Sequence, residues 1–169
     1  MAIARRFLSV RWLAPLLGAL LLFGAAHADG SVVCGAAVEA SAAQREALAA
    51  FAHEAKLARV EAFVGTVAAL RATGRLPGCY LTKGAAEKRG WKPGADLWRV
   101  APGAAIGGDR FGNREGRLPA GGRYREADLD YAGGHRGAKR LVYAESLDGV
   151  RALWVTVDHY ASFRAVPGP

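Results

Sequence analysis

RYREADLDYAGGHRGAKRLVYAESLDGVRALWVTVDHY, residues 123–160, holds three segments in which apolar and polar residues alternate with the two-residue period of a half-buried strand. Strands are predicted at Arg123 to Leu129, Ala138 to Ala144 and Val150 to Val157, with Asp148-Gly149 supplying turn chemistry between the last two. In the first strand Ala127 and Leu129 face a core while Tyr124, Glu126 and Asp128 face away. In the second, Leu141 and Tyr143 turn inward and Arg140 outward. In the third, Leu153, Val155 and Val157 take the core side. Side-by-side pairing of these strands gathers a carboxylate and a guanidinium on one open face, with His159 at its rim just past a strand end.

Two further strands are predicted at Ala105 to Arg110 and Ser162 to Ala165, giving a sheet of about five. Toward the N-terminus the texture changes. From Ser41 to Arg71 the chain is rich in Ala, Leu, Glu and Arg without proline, and Ser41 with Gln44 makes a capping-box pattern that starts a helix at Ala42. Val60, Phe63, Val64, Val67 and Leu70 recur at helical spacing, and Gly74 with Pro77 beyond it marks a stop. The pattern leaves open one long helix or two with a joint near Lys56. Thr82 is placed to cap a short helix through Lys88, and Ala95 to Val100 reads as another helical turn. Helices first and consecutive strands second argue for an α+β fold in which an antiparallel sheet packs against N-terminal helices.

At the start of the chain Arg5, Arg6 and Arg11 precede an apolar run from Leu13 to Ala26 and the triplet Ala26-His27-Ala28, the pattern of a secretory signal cleaved after Ala28. The run is short for a membrane span and no second one follows, so the mature protein is expected to be exported without a membrane anchor, to a periplasm or beyond the cell. Loss of the signal takes three of the 23 basic residues and none of the 15 acids, lowering the formal net charge from +8 to +5. A basic exported protein attracts polyanions, although charge alone does not separate such binding from mere solubility. Cys34 and Cys79 are expected to pair in an oxidising compartment, closing a loop of about 45 residues that contributes roughly 4 kcal/mol on the chain-entropy account. The four histidines are scattered, so no metal site is expected.

Glu126, His159, Arg136, Arg140 and Lys83 are the residue types that cleave RNA by transphosphorylation: a base for the ribose 2′-hydroxyl, an acid for the departing 5′-oxygen, and cations around the phosphorus. Spacing alone equally allows Glu126 and Arg140 to be an ordinary cross-strand ion pair. His53 on its Ala-rich helix and His135 in a Gly-rich loop read as surface residues, and the tryptophans as core or core-edge residues.

The segments Tyr80-Leu-Thr-Lys83, Gly90-Trp91, Val100-Ala-Pro-Gly103, Ile106-Gly-Gly-Asp109, Phe111-Gly-Asn-Arg-Glu-Gly116, Leu118-Pro119, Arg125-Glu-Ala-Asp128, Arg136, Arg140 and Asp158-His-Tyr160 closely resemble the barnase-type, guanyl-preferring secreted bacterial ribonucleases, in that family's order. The resemblance runs from about Leu76 to Arg164, more faintly through the helix from Val60. Beyond the signal peptide over 1–28 and a helical extension over 29–59 that has no counterpart in the family, it implies a ribonuclease domain of the microbial ribonuclease fold over 60–166. It also implies a monomeric endoribonuclease, without cofactor or metal, that cuts single-stranded RNA after guanosine through a 2′,3′-cyclic phosphate. By the same likeness Glu126 is the general base and His159 the general acid, Arg136 and Arg140 hold the phosphate, and Lys83 stabilises the transition state. Phe111, Gly112, Asn113, Arg114 and Glu115 form a guanine-binding loop beside Tyr160. A barstar-like acidic cytoplasmic inhibitor protein covering Arg114, Arg136, Arg140 and His159 is the implied partner.

Gly112 stands where the family's best-known members carry serine, and is expected to loosen the recognition loop. Glu145 to Gly149 reads as a longer connection than the family uses, and the cysteine pair as an addition that ties the N-terminal segment near Lys83. The alternative from another class is a non-catalytic basic exported protein that binds RNA or other polyanions, which would need the cations alone.

Overall fold

A computed structural model describes residues 40–147 and 149–169. The predicted signal segment 1–28, Cys34 of the expected disulfide, and Asp148 of the predicted hairpin lie outside those residues.

Helix α1, Ala42–Glu54, begins as its capping box dictates: the Ser41 hydroxyl accepts from the Gln44 amide at 3.2 Å, and the Gln44 side chain accepts from the Ser41 amide at 3.1 Å. There are two helices, because Lys56 turns left-handed at φ 54° and lets Leu57 fold back into the core. Helix α2, Val60–Thr73, has no cap from its own neighbourhood. Its start is held from across the molecule by Asp130, whose carboxylate accepts from the amides of Ala58 at 2.8 Å and Arg59 at 2.9 Å. Gly74, left-handed at φ 70°, ends it. Short helix α3, Lys83–Glu87, starts at Thr82, whose hydroxyl accepts from the Ala85 amide, and a single 3-10 turn follows at Leu97–Arg99.

The sheet has six strands in sequence order, β1 Tyr80–Leu81, β2 Ala105–Phe111, β3 Arg123–Asp128, β4 Arg140–Ser146, β5 Gly149–Thr156 and β6 Arg164–Ala165. All neighbours are antiparallel except β1, which runs parallel to β2. Strand β1 was not expected from the sequence, since two residues are too few for a period to be read. Val157 lies past the end of β5 and is 40% exposed, so it does not belong to the core side. Between β4 and β5, Ser146 pairs with Gly149, and the register shifts between Ala144 and Glu145.

One face of the sheet behaves as the alternation requires, with Ala127, Leu129, Leu141, Tyr143, Leu153 and Val155 packed under Phe63, Val67 and Leu70 of α2 and Leu48 and Phe51 of α1. The other face is not open. Leu118, Tyr124, Val142 and Ala144 make a second cluster there, with Phe111 at the end of β2, Trp154 of β5, and Tyr160 and Phe163 beyond β5 packed against it. Glu126, Asp128 and Arg140 are therefore buried, at 8%, 3% and 4% exposure. A charged group so placed is retained only where partners satisfy it.

Candidate active site

Glu126 sits mid-strand on β3, opposite Asp109 of β2 and Val142 of β4. Each of its carboxylate oxygens has one partner: the Lys83 ammonium at 3.1 Å from Oε1, and the Tyr160 hydroxyl, which donates to Oε2 at 2.5 Å. Lys83 is the first residue of α3, and its amide donates to the Asp109 carboxylate at 2.9 Å. The two acids that face each other across β2 and β3 thus hold the two ends of the same lysine. Burial and the bond to Glu126 push the Tyr160 phenol far up, while neighbouring Arg140 pulls it the other way. The tyrosine keeps its proton and acts as a hydrogen-bond donor.

Two residues further along β3, Asp128 anchors both arginines. Arg136 grips it with Nε at 2.6 Å and a terminal nitrogen at 2.7 Å, and Arg140, directly opposite in β4, brings Nε to 3.0 Å. The cross-strand partner of Arg140 is therefore Asp128 and not Glu126. One carboxylate faces two guanidiniums, and Arg140 also donates to the carbonyls of Gly137 and Lys139, both at 2.7 Å. The bonds to Asp128 and the proximity of Glu126 raise the pKa of Arg136, against the opposing effect of burial. The cluster keeps one positive charge in excess of Asp128, next to Glu126, where an anion can be held.

His159 is exposed and stands beside this cluster, its ring centroid 4.9 Å from that of Tyr160. Both residues have left-handed backbone, at φ 56° and 74°. The turn is tied from within: Thr156 donates its hydroxyl proton to Asp158 at 2.8 Å and accepts from the Tyr160 amide at 2.9 Å, while the amide and hydroxyl of Ser162 donate to the same carboxylate at 2.9 Å and 2.5 Å. The Ser162 bonds, then that of Thr156, pull Asp158 down to about 2.

Arg110, Phe111, Gly112, Asn113, Arg114, Glu115 and Tyr160 line a cleft of about 560 Å³. Phe111 and Tyr160 stack at 5.1 Å between centroids. Asn113, at φ 44°, closes the loop by donating to the Leu118 carbonyl at 2.8 Å and accepting from the Leu118 amide at 3.0 Å. A Cβ on Gly112 would meet nothing nearer than the Arg114 side chain at 3.5 Å, so the position has room for a small side chain. Arg114 and Glu115 are exposed.

The structure therefore brings Glu126, Lys83, Arg136, Arg140 and Tyr160 into one cluster, with His159 and the 111–115 loop at its margin. His53 and His135 are exposed, His53 on α1 and His135 directly before Arg136. Cys79 is half-buried immediately before β1. The sequence reading missed Asp109, Asp128, Thr156, Asp158 and Ser162 as site residues. Asp109, Asp128 and Asp158 stand in segments that resemble the family, and Asp128 also lies on the same strand face as Glu126, but Thr156 and Ser162 carried no readable signal.

The ribonuclease family model matches residues 66–167. Ribonucleases of Bacillus intermedius and Bacillus pumilus are each 46% identical to the chain over 113 residues, spanning 65% of it and 67% of their own length. A ribonuclease of Heyndrickxia coagulans is 50% identical over 95 residues, 54% of this chain and 84% of its own.

Proposed function

Because the chain belongs to the barnase-type bacterial ribonuclease family, and so is an RNA-cleaving enzyme, we propose that it cuts single-stranded RNA on the 3′ side of guanosine, without a metal, by transphosphorylation. The observation that carries this reading is the Glu126 carboxylate fixed between Lys83 and Tyr160, with two arginines on Asp128 beside it.

Glu126 takes the proton of the ribose 2′-hydroxyl as that oxygen attacks phosphorus. The His159 imidazolium gives its proton to the 5′-oxygen as the P–O5′ bond breaks. Arg136 and Arg140 hold the non-bridging oxygens, and Lys83 adds charge where the five-coordinate phosphorus is most negative. The 2′,3′-cyclic phosphate is then hydrolysed more slowly, with His159 taking a proton from water and Glu126 returning one to the 2′-oxygen. The base on the 5′ side of the cut lies in the cleft of Phe111 to Glu115 against Tyr160, where loop amides and Glu115 pair with the unpaired edge of guanine.

Protein beginning at Asp29 is expected to degrade RNA in the presence of EDTA and to prefer GpN over the other NpN dinucleotides. Glu126→Ala or His159→Ala should each lower kcat by about a hundredfold or more, with unchanged circular dichroism. Full activity in both variants would overturn the assignment, and a non-catalytic polyanion binder would instead keep salt-sensitive RNA binding in both.

The same reading includes export with cleavage after Ala28, a Cys34–Cys79 disulfide, a monomeric enzyme, and a barstar-like acidic inhibitor seated over Arg114, Arg136, Arg140 and His159. Support comes from the signal pattern, the position of Cys79 at the edge of the sheet, and the surplus positive charge of the site.

A further inference from the structure

Arg136 reaches Asp128 from a loop with little stiffness of its own. The connection from β3 to β4, residues 129–139, contains Gly133, Gly134 and Gly137, and the first two are left-handed at φ 86° and 72°. A bond from the Leu129 amide to the Lys139 carbonyl at 3.1 Å closes its base. Just past Arg136, the Gly137 carbonyl accepts from Arg140 at 2.7 Å. Just before Arg136, the loop is held from another part of the molecule.

That hold comes from Asp96, which precedes the 3-10 turn at Leu97–Arg99. The hydroxyl of buried Tyr131 accepts from the Leu97 amide at 2.8 Å. It lies 2.9 Å from the Asp96 carboxylate and 3.1 Å from the Gly134 carbonyl, two acceptors that share its one proton. Asp96 also accepts from the Trp98 amide at 2.9 Å. Bonds from the Trp98 amide, the Tyr131 hydroxyl and the Gly134 amide hold the Asp96 carboxyl below the usual carboxylate range, against the effect of burial. Trp98 completes the seat. Its Nε1 donates to the Ala104 carbonyl at 2.8 Å, and Gly133 rests so close that a Cβ there would lie 3.0 Å from the indole. Capping of the 3-10 turn accounts for the bond between Trp98 and Asp96. It does not account for Tyr131 and Gly134, which come from the loop that carries Arg136.

We propose that Tyr131 and Asp96 are positioning residues for RNA cleavage, a latch that fixes the 131–137 loop and so sets where the Arg136 guanidinium meets the reacting phosphate. The proposal rests on the reading that Arg136 holds that phosphate. Asp128 alone does not settle the position, because the same carboxylate also receives Arg140, and the share each arginine takes depends on where the loop backbone puts Arg136. Without the latch the backbone of Arg136 is fixed on one side only, at Gly137. A displacement of about 1 Å at a group that holds the reacting atoms costs up to about a hundredfold in rate.

The test is a double-mutant cycle on cleavage of GpA, run at a temperature where circular dichroism shows every variant folded. Y131F, which removes only the hydroxyl, and D96A should each lower kcat about tenfold with KM within about twofold of the parent. D96N keeps an acceptor oxygen for Trp98 and Tyr131 and should recover most of the loss. R136A should itself be slower by about a hundredfold. In that background Y131F and D96A should change kcat by less than about twofold, whereas a purely structural role would slow both backgrounds alike. Parent kcat in Y131F and D96A, or equal losses with and without Arg136, would overturn the proposal. Full activity in R136A would remove Arg136 from the chemistry and the proposal with it. A slow R136A beside an unimpaired Y131F would leave Arg136 on the phosphate and sink the latch alone.

Discussion

Left-handed backbone at two successive non-glycine residues costs on the order of 1–3 kcal/mol for each, and His159 and Tyr160 both adopt it. The Asp158 carboxylate offsets that strain through the hydroxyls and amide of Thr156 and Ser162. Because its folded pKa of about 2 lies below the ordinary 3.8, this contribution is complete above pH 3.8 and is lost as the pH falls toward 2. Asp158→Asn should accordingly lower Tm and kcat at neutral pH, and its Tm deficit should close as the pH is taken from 4 to 2. A deficit of equal size at pH 7 and pH 2 would mean that ionisation of Asp158 does not hold the turn. The tripeptide Asp158-His159-Tyr160 was legible in the sequence, but the clamp around it was not, because hydroxyls six residues apart meet only after the turn has formed. The pairing of Asp128 with Arg140 was not legible for a related reason. A period of two puts Glu126 and Asp128 on the same face, and only the register of β3 against β4 decides which of them meets Arg140.

At the scale of elements, the sequence carried whatever is local. The capping box of α1, the Gly74 stop and the four longer strands stand within a few residues of where pattern put them. The junction between α1 and α2 was left open because its determinant is remote: Asp130 caps α2 across a separation of 71 and 72 residues, and is itself held by Lys139 at 2.7 Å. No turn residue marks the joint, so Lys56 bears the left-handed conformation that glycine usually takes. Asp130→Ala removes the acceptor for two amides and the partner of Lys139. It should cost about 1–2 kcal/mol of stability in urea denaturation, as loss of a helix cap does. Asp130→Asn keeps an acceptor and should fall between that variant and the parent; equal stability of all three would show that the junction does not depend on this side chain.

Across the whole molecule, the stretch matched by the family model begins inside α2, at residue 66, yet the packed core extends further back along the chain. Leu48 and Phe51 of α1 are buried against α2 and the inner face of the sheet, Phe51 stacking on Phe63 at 5.8 Å. Arg164 of β6 lies over the Phe51 ring, 5.1 Å from its centroid, and bridges to Glu54 at 2.9 Å. Little of this was legible, because an Ala-rich helix such as α1 shows its apolar face only weakly in its pattern. Burial of a Leu or Phe side chain contributes about 1.5–3 kcal/mol, so the two together supply several kcal/mol of a total that for domains of this kind is about 5–15 kcal/mol. A chain beginning at Lys56 would keep the elements of the active site but expose the apolar faces of α2 and β5 that α1 covers. It should therefore unfold at least 10 °C below the chain beginning at Asp29, measured with both proteins reduced so that Cys34 and Cys79 do not contribute to the difference. At low temperature it should still cleave GpN, since none of Glu126, His159, Arg136, Arg140 and Lys83 contacts α1. Equal melting temperatures would make α1 an appendage, and loss of cleavage in a fully folded truncation would give it a part in the chemistry.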